Sequence, residues 1–443
     1  MLSDPIVALA TPPGRGALAV VRLSGSGAFA VAAQVVEGFA VDPARTARLA
    51  PFVDPERVAF DRGIYITFPA PHSYTGEDQV EFNCHGGLLV PAQLLAACQA
   101  AGARPAAPGE FTRRAVLNGK MDLVQAEAVG DLVDATAVAQ GRSALRRLEG
   151  GLSRRIEALR AELIDLMAVV GYDVDFPEED DGPVSRNAMR ERCGRLCRRV
   201  AELRATAPAG ERLCEGALVV IAGRPNVGKS SLFNALLGTS RALVTPTPGT
   251  TRDAIEAHTE FESWPVRLID TAGLWEAAAE LDRLGVEVSR RYLEAADLVL
   301  VCVEAGRGLQ PDERALFDRG SGAMLVRTKA DLAAAEGDGL AVSALTGAGL
   351  DRLRSSVAET LFPRGRAEPA ELEAWLTRER HRVAMQRAGL ALDGAMAQLG
   401  EAGEAVLAAH HLQRAAEALE ELVGVVRPDD VLDRIFSRFC IGK

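Results

Sequence analysis

The stretch that decides the fold of this chain is Gly223-Arg224-Pro225-Asn226-Val227-Gly228-Lys229-Ser230. It fits the phosphate-binding pattern G-x-x-x-x-G-K-[ST]. The apolar run 217–222 before it predicts a buried strand, and residues 231–237 after it predict the start of a helix. A loop in this position turns its backbone N–H groups towards phosphate oxygens. The Lys229 side chain would then reach the β- and γ-phosphates of a nucleotide, and the Ser230 hydroxyl would ligate Mg²⁺.

Two carboxylates further along the chain extend this pattern to a guanine nucleotide. Asp270 opens Asp270-Thr271-Ala272-Gly273 after a predicted strand, where it would hold Mg²⁺ through water while the Gly273 N–H faces the γ-phosphate. Asp331 closes Thr328-Lys329-Ala330-Asp331, which follows another predicted strand. Its carboxylate can accept hydrogen bonds from N1–H and N2–H₂ of guanine, and adenine has neither donor.

Two more motifs complete the order that a GTPase needs. Thr251, in Gly249-Thr250-Thr251-Arg252-Asp253, could supply a hydroxyl to Mg²⁺, and Ser343-Ala344-Leu345 fits a backbone contact to the guanine O6. Five motifs in this order predict GTP binding and hydrolysis. The predicted GTP or GDP contacts are Asn226, Val227, Gly228, Lys229, Ser230, Ser231, Thr245, Pro246, Thr247, Pro248, Gly249, Thr250, Thr251, Asp270, Thr271, Ala272, Gly273, Thr328, Lys329, Asp331, Ser343, Ala344 and Leu345.

Thr328 stands where such proteins usually have an asparagine. The substitution removes one amide that normally ties the base loop to the phosphate loop. We therefore expect weaker nucleotide affinity or faster exchange, with guanine specificity kept through Asp331.

Asn226 indicates a potassium-assisted site. An asparagine beside the phosphates, with Gly249-Thr250-Thr251 ahead, suits a K⁺ ion bound against the β- and γ-phosphates, where it supplies the charge of an arginine finger. Thr250 belongs to this predicted K⁺ site, and backbone carbonyls of Thr245 and Thr247 would complete the shell. The alternative is that Asn226 only braces the loop.

Composition bounds the class of protein. A chain of 443 residues needs two to four domains, and 48% apolar residues are ample for globular structure. The sequence has no apolar run near ~18 residues and no secretory pattern at its start, so we expect a soluble, cytoplasmic protein with no membrane contact. The net charge of −11 opposes a general nucleic-acid coating protein. Arginine-rich stretches at 142–160 and 186–204 allow a local basic patch, but interleaved glutamates favour solvated helix faces.

The cysteines predict neither a disulfide framework nor a metal centre. Seven are scattered along the chain, and no pair has C-x-x-C spacing, so reduced thiols are expected. Cys193 and Cys197 lie four residues apart on a predicted helix. Two small core residues are favoured there over a shared metal.

The apolar pattern divides the chain into four parts and predicts a multidomain protein, α/β and all-α. Residues 1–118 form an α+β domain, with turns at 11–16 and 104–109. Residues 119–215 are helical, with an acidic turn at 173–183, and 216–363 alternate strands and helices as in a doubly wound P-loop domain. Residues 364–443 are helical again, with Val383, Leu390, Val406 and Leu407 in the predicted stripe. Because a C-terminal helical hairpin is thin for an independent core, we expect one discontinuous bundle interrupted by the inserted domain; the alternative is two bundles.

Motifs along nearly the whole chain resemble those of the tRNA modification GTPase family, MnmE or TrmE. They are Ala10-Thr11-Pro12-Pro13-Gly14-Arg15-Gly16, Ser73-Tyr74-Thr75-Gly76-Glu77-Asp78, His85-Gly86-Gly87, Pro108-Gly109-Glu110-Phe111-Thr112, the GTPase set with its K⁺-type features, and Phe439-Cys440-Ile441-Gly442-Lys443. The resemblance implies an N-terminal domain that dimerises and binds 5-formyl- or 5,10-methylene-tetrahydrofolate. It also implies a homodimer that joins an FAD-dependent partner of the MnmG (GidA) type in a heterotetramer. That complex adds an aminomethyl or carboxymethylaminomethyl group to carbon 5 of the wobble uridine of certain tRNAs.

The resemblance also implies roles for single residues. Folate contacts fall on Arg22, Glu81, Lys120 and Lys443. Cys440 matches a C-terminal cysteine placed near the folate, with its role open. Asp282 stands where the family usually has a glutamate that orients the attacking water, so we expect Asp282 to act in slow intrinsic hydrolysis, with Glu280 as the alternative.

Two other functions compete with this one. An RNA-associated GTPase switch in ribosome assembly would need a basic RNA-binding appendage, and none is evident at a net charge of −11. A scaffold with a vestigial nucleotide site conflicts with the intact Lys229, Ser230, Asp270 and Asp331.

Overall fold

The protein forms two compact units. Its computed structural model describes residues 4–176, 184–238, 255–270, 290–318, 322–334, 337–362, 375–400 and 403–424, together with 436, 439 and 442. The first unit is Met1–Gly130 with Leu419–Lys443, and the second is Asp131–Ala418. Within the described ranges, none of the helices combines the length and the hydropathy that crossing a membrane requires.

The first unit is built on a six-stranded sheet. Its strands are β1 (Ile6–Leu9), β2 (Gly14–Ser24), β3 (Arg48–Val53), β4 (Ala59–Phe68), β5 (Gln79–Gly87) and β6 (Arg104–Pro105). They lie in the order β3-β4-β5-β2-β1-β6, antiparallel except for β1 with β6. The helices that begin in this unit are α1 (Ala28–Val35), α2 (Leu89–Ala100), α3 (Glu110–Leu117) and α4 (Leu123–Asp134).

Strand β5 alternates between a buried and a polar face. Val80, Phe82 and Cys84 are fully buried in the core, where the Phe82 ring meets Phe52 edge-on at 5.7 Å. Glu81 lies on the opposite face and is partly exposed. One face of β5 therefore packs the core while the other presents polar groups.

Two predicted turns are partly strand. The turn at 11–16 ends early, because β2 already begins at Gly14, which has φ +139°. A bulge between Gly14 and Leu18 then brings Gly16 of β2 close to Gly86 of β5. A Cβ on Gly86 would lie 2.3 Å from the Gly16 carbonyl oxygen, so only glycine allows this approach. At the other site, Arg104 pairs with Ile6 as the edge strand β6, a position that tolerates the following proline.

The described residues near the C-terminus pack in the first unit. Phe436 is buried with Leu123 and Ala126, and its ring lies 5.4 Å from that of Phe439. Gly442 has φ +99°, and a Cβ there would lie 2.5 Å from the Leu9 carbonyl oxygen. Residues more than three hundred positions beyond α4 thus complete a unit that the N-terminal sequence begins.

The second unit contains helices on both sides of an α/β segment. These helices are α5 (Val138–Leu148), α6 (Gly151–Asp175), α7 (Arg186–Arg204), α8 (Ala207–Glu215), α9 (Lys229–Leu237), α10 (Pro311–Phe317), α11 (Leu350–Leu361), α12 (Glu379–Gln398) and α13 (Ala405–Val423), the last of which continues into the first unit. Helix α7 packs against both α6 and α12, so residues before and after the insertion share one bundle. The prediction of a discontinuous helical domain is confirmed.

The bundle differs from its predicted pattern in two places. Residues 173–175 belong to α6 and not to a turn. The stripe predicted for the last helices is wrong at Val383, Leu390, Val406 and Leu407, which are 41%, 63%, 61% and 42% exposed. The buried face of α12 consists mainly of small residues instead. Ala384, Ala388 and Ala395 lie on this face together with Met385 and Leu392. A leucine pattern cannot reveal a stripe made largely of alanine.

The inserted segment is the predicted doubly wound domain. Its strands are β7 (Ala217–Gly223), β8 (Ile255–Phe261), β9 (Trp264–Asp270), β10 (Leu298–Glu304), β11 (Ala323–Thr328) and β12 (Leu340–Ala341). The order is β12-β11-β10-β7-β9-β8, parallel except for the β8–β9 hairpin. Residues 342 and 343, predicted as strand, lie just beyond β12. The boundaries at 118, 215 and 363 stay predictions.

A buried ion pair joins the two segments in which the chain passes between the helical bundle and the inserted α/β domain. Arg147 of α5 is 2% exposed, and its Nη1 donates to Asp131 Oδ2 at 2.7 Å and to Thr377 Oγ1 at 2.9 Å. Asp131 also pairs with Arg378 and accepts from Cys214 Sγ at 3.4 Å. Cys214 closely precedes β7, where the chain enters the insert, and Thr377 closely precedes α12, where it has returned. One carboxylate therefore holds both connections.

Replacing Asp131→Ala would leave the Arg147 guanidinium buried without its counter-charge. We expect a loss of about 3–5 kcal/mol in the free energy of unfolding of this unit. Urea unfolding followed by tryptophan fluorescence measures it, since all three tryptophans lie in residues 131–418.

The matched control is Glu294→Ala. It breaks the Arg290–Glu294 pair, which has a 2.9 Å contact but side chains that are 69% and 58% exposed. Exposed pairs contribute roughly 0–1 kcal/mol, so a small shift is expected. Equal shifts for the two variants would contradict a structural role for the buried pair.

Candidate functional site

The phosphate loop connects β7 to α9, with the backbone conformation that its glycines permit. Gly223 has φ +146°, and a Cβ there would lie 2.4 Å from the Cys302 carbonyl oxygen of the neighbouring strand. Asn226 and Gly228 also have positive φ values, of 65° and 95°. Asparagine is one of the few non-glycine residues that adopt this conformation readily. The loop therefore requires glycine at position 223, and at position 226 a residue that tolerates a positive φ.

Lys229, the first residue of α9, is 6% exposed. Its Nζ donates to the carbonyl oxygens of Gly223 at 3.0 Å and Arg224 at 2.8 Å. Desolvation lowers the pKa of the Lys229 ammonium, and the charge of Asp270 acts in the opposite direction. Because its hydrogen-bond partners are neutral carbonyls, an arriving phosphate would offset the desolvation of this cation. The loop is thus prepared for an anion.

Of the residues predicted at the Mg²⁺ site, Ser230 and Asp270 are among those that the structure describes. Asp270 is the last residue of β9, is 2% exposed, and lies opposite Ile221 of β7. Ser230 is exposed at the start of α9. Both lie at the carboxyl ends of neighbouring parallel strands, where P-loop proteins hold the metal. The residues present fit Mg²⁺ on chemical grounds, since a hydroxyl and a carboxylate are the oxygen ligands that this ion prefers.

The base loop is tied to the phosphate loop, contrary to the expectation from Thr328. This residue is 3% exposed, and its Oγ1 donates to the Val227 carbonyl oxygen at 2.5 Å. A second contact reaches the Val303 carbonyl oxygen at 3.3 Å. The threonine hydroxyl thus makes the loop-to-loop hydrogen bond that was expected to be lost with an asparagine amide. The structural reason given for weak affinity is therefore wrong.

The neighbours of Thr328 are also held in place. Lys329 has φ +55°, and its Nζ pairs with Glu304 Oε1 at 2.9 Å. Ala330 N donates to the Val342 carbonyl oxygen at 3.1 Å, so the base loop is fixed to the segment that leads to Ser343. Asp331 is exposed, as a carboxylate that receives a base must be.

The last motif forms a tight loop. Ser343 is fully buried, its N donates to the Ala348 carbonyl oxygen at 2.9 Å, and its Oγ accepts from Thr346 N at 3.1 Å. Leu345 is 86% exposed. A backbone contact from Ala344 to a base stays a prediction.

A cavity of about 780 Å³ opens beside these elements. Its lining includes most of the phosphate loop and Lys329 of the base loop, with Asp312, Glu313 and Leu316 of α10 on a third side. The size suits a nucleotide. Several predicted contacts lie outside the described residues, namely Thr245, Pro246, Thr247, Pro248, Gly249, Thr250, Thr251, Thr271, Ala272, Gly273 and Asp282, with its alternative Glu280.

A second cluster of predicted site residues lies in the first unit. Arg22 of β2 and Glu81 of β5 face each other across the sheet, and Arg22 Nη2 lies 2.9 Å from Glu81 Oε1. The Arg22 guanidinium carbon lies 5.4 Å from the centre of the Tyr74 ring and 5.7 Å from that of Phe111. Its Nη1 also contacts the Gly442 carbonyl oxygen at 3.4 Å. A cation, an anion and two aromatic rings therefore converge on one face of the sheet.

Lys120 lies beside the loop that carries Tyr74. Its Nζ donates to the Pro71 carbonyl oxygen at 3.0 Å, and its alkyl chain lies 3.3 Å from where a Cβ on Gly76 would be. Asn118 Nδ2 donates to the Thr75 carbonyl oxygen at 2.7 Å. The structure thus joins Arg22 to Glu81 and places Lys120 on the adjoining loop. Lys443 and Cys440 lie outside the described residues.

Sequence reasoning missed three members of this cluster. Tyr74 and Phe111 stand inside the quoted motifs, where an aromatic residue in a polar segment could have drawn attention. Desolvation raises the pKa of the Tyr74 hydroxyl, which is hydrogen-bonded to Thr112 Oγ1 at 2.8 Å. Gln79 is buried beside Glu81, and its alternating position on β5 was the only signal.

The described residues hold no cluster of three or more histidine, cysteine, aspartate or glutamate side chains suited to a metal ion. Cys193 is buried and donates to the Leu392 carbonyl oxygen at 3.5 Å, whereas Cys197 is half-buried. Within these residues the pair behaves as helix-packing side chains, as expected.

Thr328→Val would remove the buried donor to Val227 while keeping the size of the side chain. A lost hydrogen bond of this kind costs about 1–2 kcal/mol, so we expect GDP affinity to fall roughly 5–30-fold. Titration with a fluorescent GDP analogue measures it. Thr328→Ser keeps the hydroxyl and should bind like the parent chain. If valine also bound like the parent chain, the hydroxyl would not tie the two loops.

Some solved structures have limited similarity to part of this chain. The G domain of the T. maritima FeoB iron transporter is 28% identical, covers 32% of this chain and 98% of its own, and has a TM-score of 0.26. A bacterial selenocysteine-specific elongation factor, EF-Sec, is 18% identical, covers 33% of this chain and 29% of its own, and has a TM-score of 0.25. TM-scores this low do not support an assignment, so the family is assigned from sequence similarity.

Sequence comparison covers the whole chain. The family model "MnmE helical domain" matches residues 123–440, and "GTP-binding protein TrmE N-terminus" matches residues 5–120. The tRNA modification GTPase MnmE of Thermus thermophilus is 44% identical over 450 residues, with 100% of both chains covered. The protein of the same name from Laribacter hongkongensis is 43% identical over 456 residues, covering 100% of this chain and 99% of its own. The chain therefore belongs to the MnmE family of tRNA modification GTPases.

Proposed function

We propose that this GTPase is the GTP-hydrolysing subunit of a complex that modifies carbon 5 of the wobble uridine, position 34, of certain tRNAs. The added group is aminomethyl or carboxymethylaminomethyl. The carbon donor is 5-formyl- or 5,10-methylene-tetrahydrofolate, and an FAD-dependent partner of the MnmG (GidA) type completes a cytoplasmic heterotetramer. The observation that carries the proposal is that the chain has two separate polar sites, one for a nucleotide and one around Arg22 and Glu81.

The Arg22–Glu81 cluster supports a folate ligand. A folate has a glutamate tail that needs cations and a heterocycle whose N–H groups need acceptors. Arg22 and Lys120 supply the cations, and Glu81 supplies a carboxylate. Tyr74 and Phe111 add apolar rings to the same face. Lys443 would add a further cation, and Cys440 would lie close to the folate with a role that we leave open.

Exposed leucines support a homodimer formed through the N-terminal domain. Leu18, Leu49, Leu88 and Leu89 of the first unit are 65%, 61%, 75% and 70% exposed. Leu18 of β2 is paired with His85 of β5, which lies three residues before Leu88 along the chain. An exposed apolar surface is typical of protein interfaces. A second copy of the chain would remove them from water.

In the nucleotide site, the chain's own residues would bind and orient GTP. The phosphate loop and Lys229 would hold the phosphates, and Ser230 with Thr251 would ligate Mg²⁺, which neutralises charge on the β- and γ-phosphates when bound. Asp282 would orient the attacking water. Asn226, Thr245, Thr247 and Thr250 would hold K⁺, and pairing of two GTPase domains across the dimer would accompany hydrolysis. We propose that hydrolysis times the modification and takes no part in its carbon chemistry.

Nucleoside analysis of tRNA tests the proposed function. Deleting the gene in its host should remove aminomethyl-type groups from wobble uridines, and re-expression of the chain should restore them. Lys229→Ala should fail to restore them, because the γ-phosphate loses its cation. Unchanged wobble uridines in the deletion strain would overturn the proposal.

Asn226→Gly separates the two interpretations of Asn226. Glycine adopts the observed φ of 65° without strain, so the loop conformation is kept and only the amide is lost. If the amide ligates K⁺, GDP affinity should stay near that of the parent chain while hydrolysis in KCl falls to the rate in NaCl. An undiminished response to KCl would mean that Asn226 only braces the loop.

A further inference from the structure

Gln79 is a buried amide beside the Arg22–Glu81 cluster. It is 2% exposed, and its Nε2 donates to Glu81 Oε1 at 3.2 Å. Its Oε1 is also buried and has no hydrogen-bond partner among the residues that the structure describes. Burying a carbonyl oxygen without a donor is unfavourable, so the position needs an explanation.

The orientation of the Gln79 amide follows from its neighbour. Glu81 Oε1 is a carboxylate oxygen and can only accept, so it selects the NH₂ end of the amide. Turning the amide over would bring two oxygens together. The end left without a partner is therefore an acceptor.

The oxygen atoms around Gln79 have hydrogen-bond partners, which sets Gln79 Oε1 apart from them. Ser24 Oγ, on the neighbouring strand, lies 2.7 Å from Thr75 Oγ1 and 3.3 Å from Glu77 Oε2. Glu77 Oε2 also receives Arg114 Nη1 at 3.1 Å. These neighbouring oxygens are thus paired, whereas the amide oxygen of Gln79 is not.

Glu81 has the same asymmetry. Its Oε1 accepts hydrogen bonds from Arg22 Nε at 3.0 Å and from Gln79 Nε2 at 3.2 Å, and Arg22 Nη2 lies 2.9 Å from the same oxygen in the ion pair. No described residue donates to its Oε2. Gln79 and Glu81 are alternate residues of one strand, so their backbones are roughly 7 Å apart on the same face. Two residues on one face of β5 therefore each keep an oxygen without a donor among the described residues.

We propose that Gln79 is a specificity-determining residue of the folate site, and that its Oε1 accepts an N–H of the ligand next to Glu81 Oε2. The matching ligand edge has two neighbouring donors, as the 2-amino group and N3–H of a pterin do. Gln79 also positions Glu81, because its Nε2 helps to saturate Oε1 and directs the ligand to Oε2. This inference rests on the proposed folate function.

The test compares two ligands on the full chain. One is 5-formyltetrahydrofolate, and the other is its analogue without the 2-amino group. Gln79→Met keeps the length of the side chain and removes both polar atoms. Calorimetric titration should show about tenfold weaker binding of 5-formyltetrahydrofolate to this variant, the effect of one hydrogen bond. Binding of the analogue should weaken much less, by no more than the loss of the Nε2 contact to Glu81, because the analogue lacks the donor that Oε1 receives.

The control is Gln93→Met, the same change at an exposed position of α2, which should leave both affinities unchanged. Gln79→Asn, whose amide is one methylene short, should repeat the selective loss. Thermal unfolding shows whether each variant is folded. Equal losses of affinity for both ligands would mean that Gln79 has only a structural role, and would overturn the inference. An unchanged affinity for 5-formyltetrahydrofolate would overturn it as well. If the parent chain itself failed to bind 5-formyltetrahydrofolate, the proposed folate site would fall as well, so the two failures are distinguishable.

Discussion

The structure of the second unit depends on the buried pair of Arg147 and Asp131. A domain inserted into a helical bundle must leave and re-enter the bundle, and both connections have to be fixed for the insert to keep one orientation. Asp131 meets the outgoing chain through Cys214 and the returning chain through Arg378, while Arg147 bonds to Thr377. Two charges removed from water cost much free energy unless each is paired, so these contacts form together or fail together. The hairpin of β8 and β9 adds to them, since Ala139 N donates to the Ser263 carbonyl oxygen at 3.0 Å and Trp264 stacks on Phe362 at 4.4 Å.

The sequence predicted the elements that have a periodic apolar pattern or contain a recognisable motif. The parallel sheet, its phosphate loop and the helices with leucine stripes follow from local pattern and glycine conformation. The sequence could not predict contacts that depend on which atoms meet after folding. Thr328 was expected to lose the contact that an asparagine amide makes between the two loops. Its hydroxyl instead donates to the Val227 carbonyl oxygen, because the two loops lie within hydrogen-bonding distance. The alanine stripe of α12 and the edge strand β6 have too little hydrophobic signal to be recognised. Gln79 lies on the same face of β5 as the partly exposed Glu81, and its burial depends on the packing of the folded unit.

The nucleotide site and the proposed folate site differ in their electrostatics. In the nucleotide site, a nearly buried ammonium group donates to two neutral carbonyl oxygens, so it gains when phosphate arrives. In the N-terminal cluster, Arg22 is bonded to Glu81 before any ligand comes, and the adjoining Lys120 donates to a neutral carbonyl oxygen. Beside the Arg22–Glu81 pair, the group without a partner among the described residues is the neutral Gln79 Oε1. Affinity for the nucleotide should therefore depend on phosphate charge, whereas a ligand at the Arg22–Glu81 pair would be recognised through the placement of neutral donors and acceptors.

The contact between Arg22 and Gly442 has a consequence for how the protein is made. These residues are 420 positions apart in the chain, yet they share one cluster. At translation speeds of about 5–20 residues per second, roughly 20–80 s pass between synthesis of the two. During that interval the N-terminal sheet can fold, but its polar face lacks the segment that closes it. The N-terminal unit is thus among the first parts of the protein to fold and among the last to be completed, so nascent chains should carry an open Arg22 cluster until residue 442 has left the ribosome.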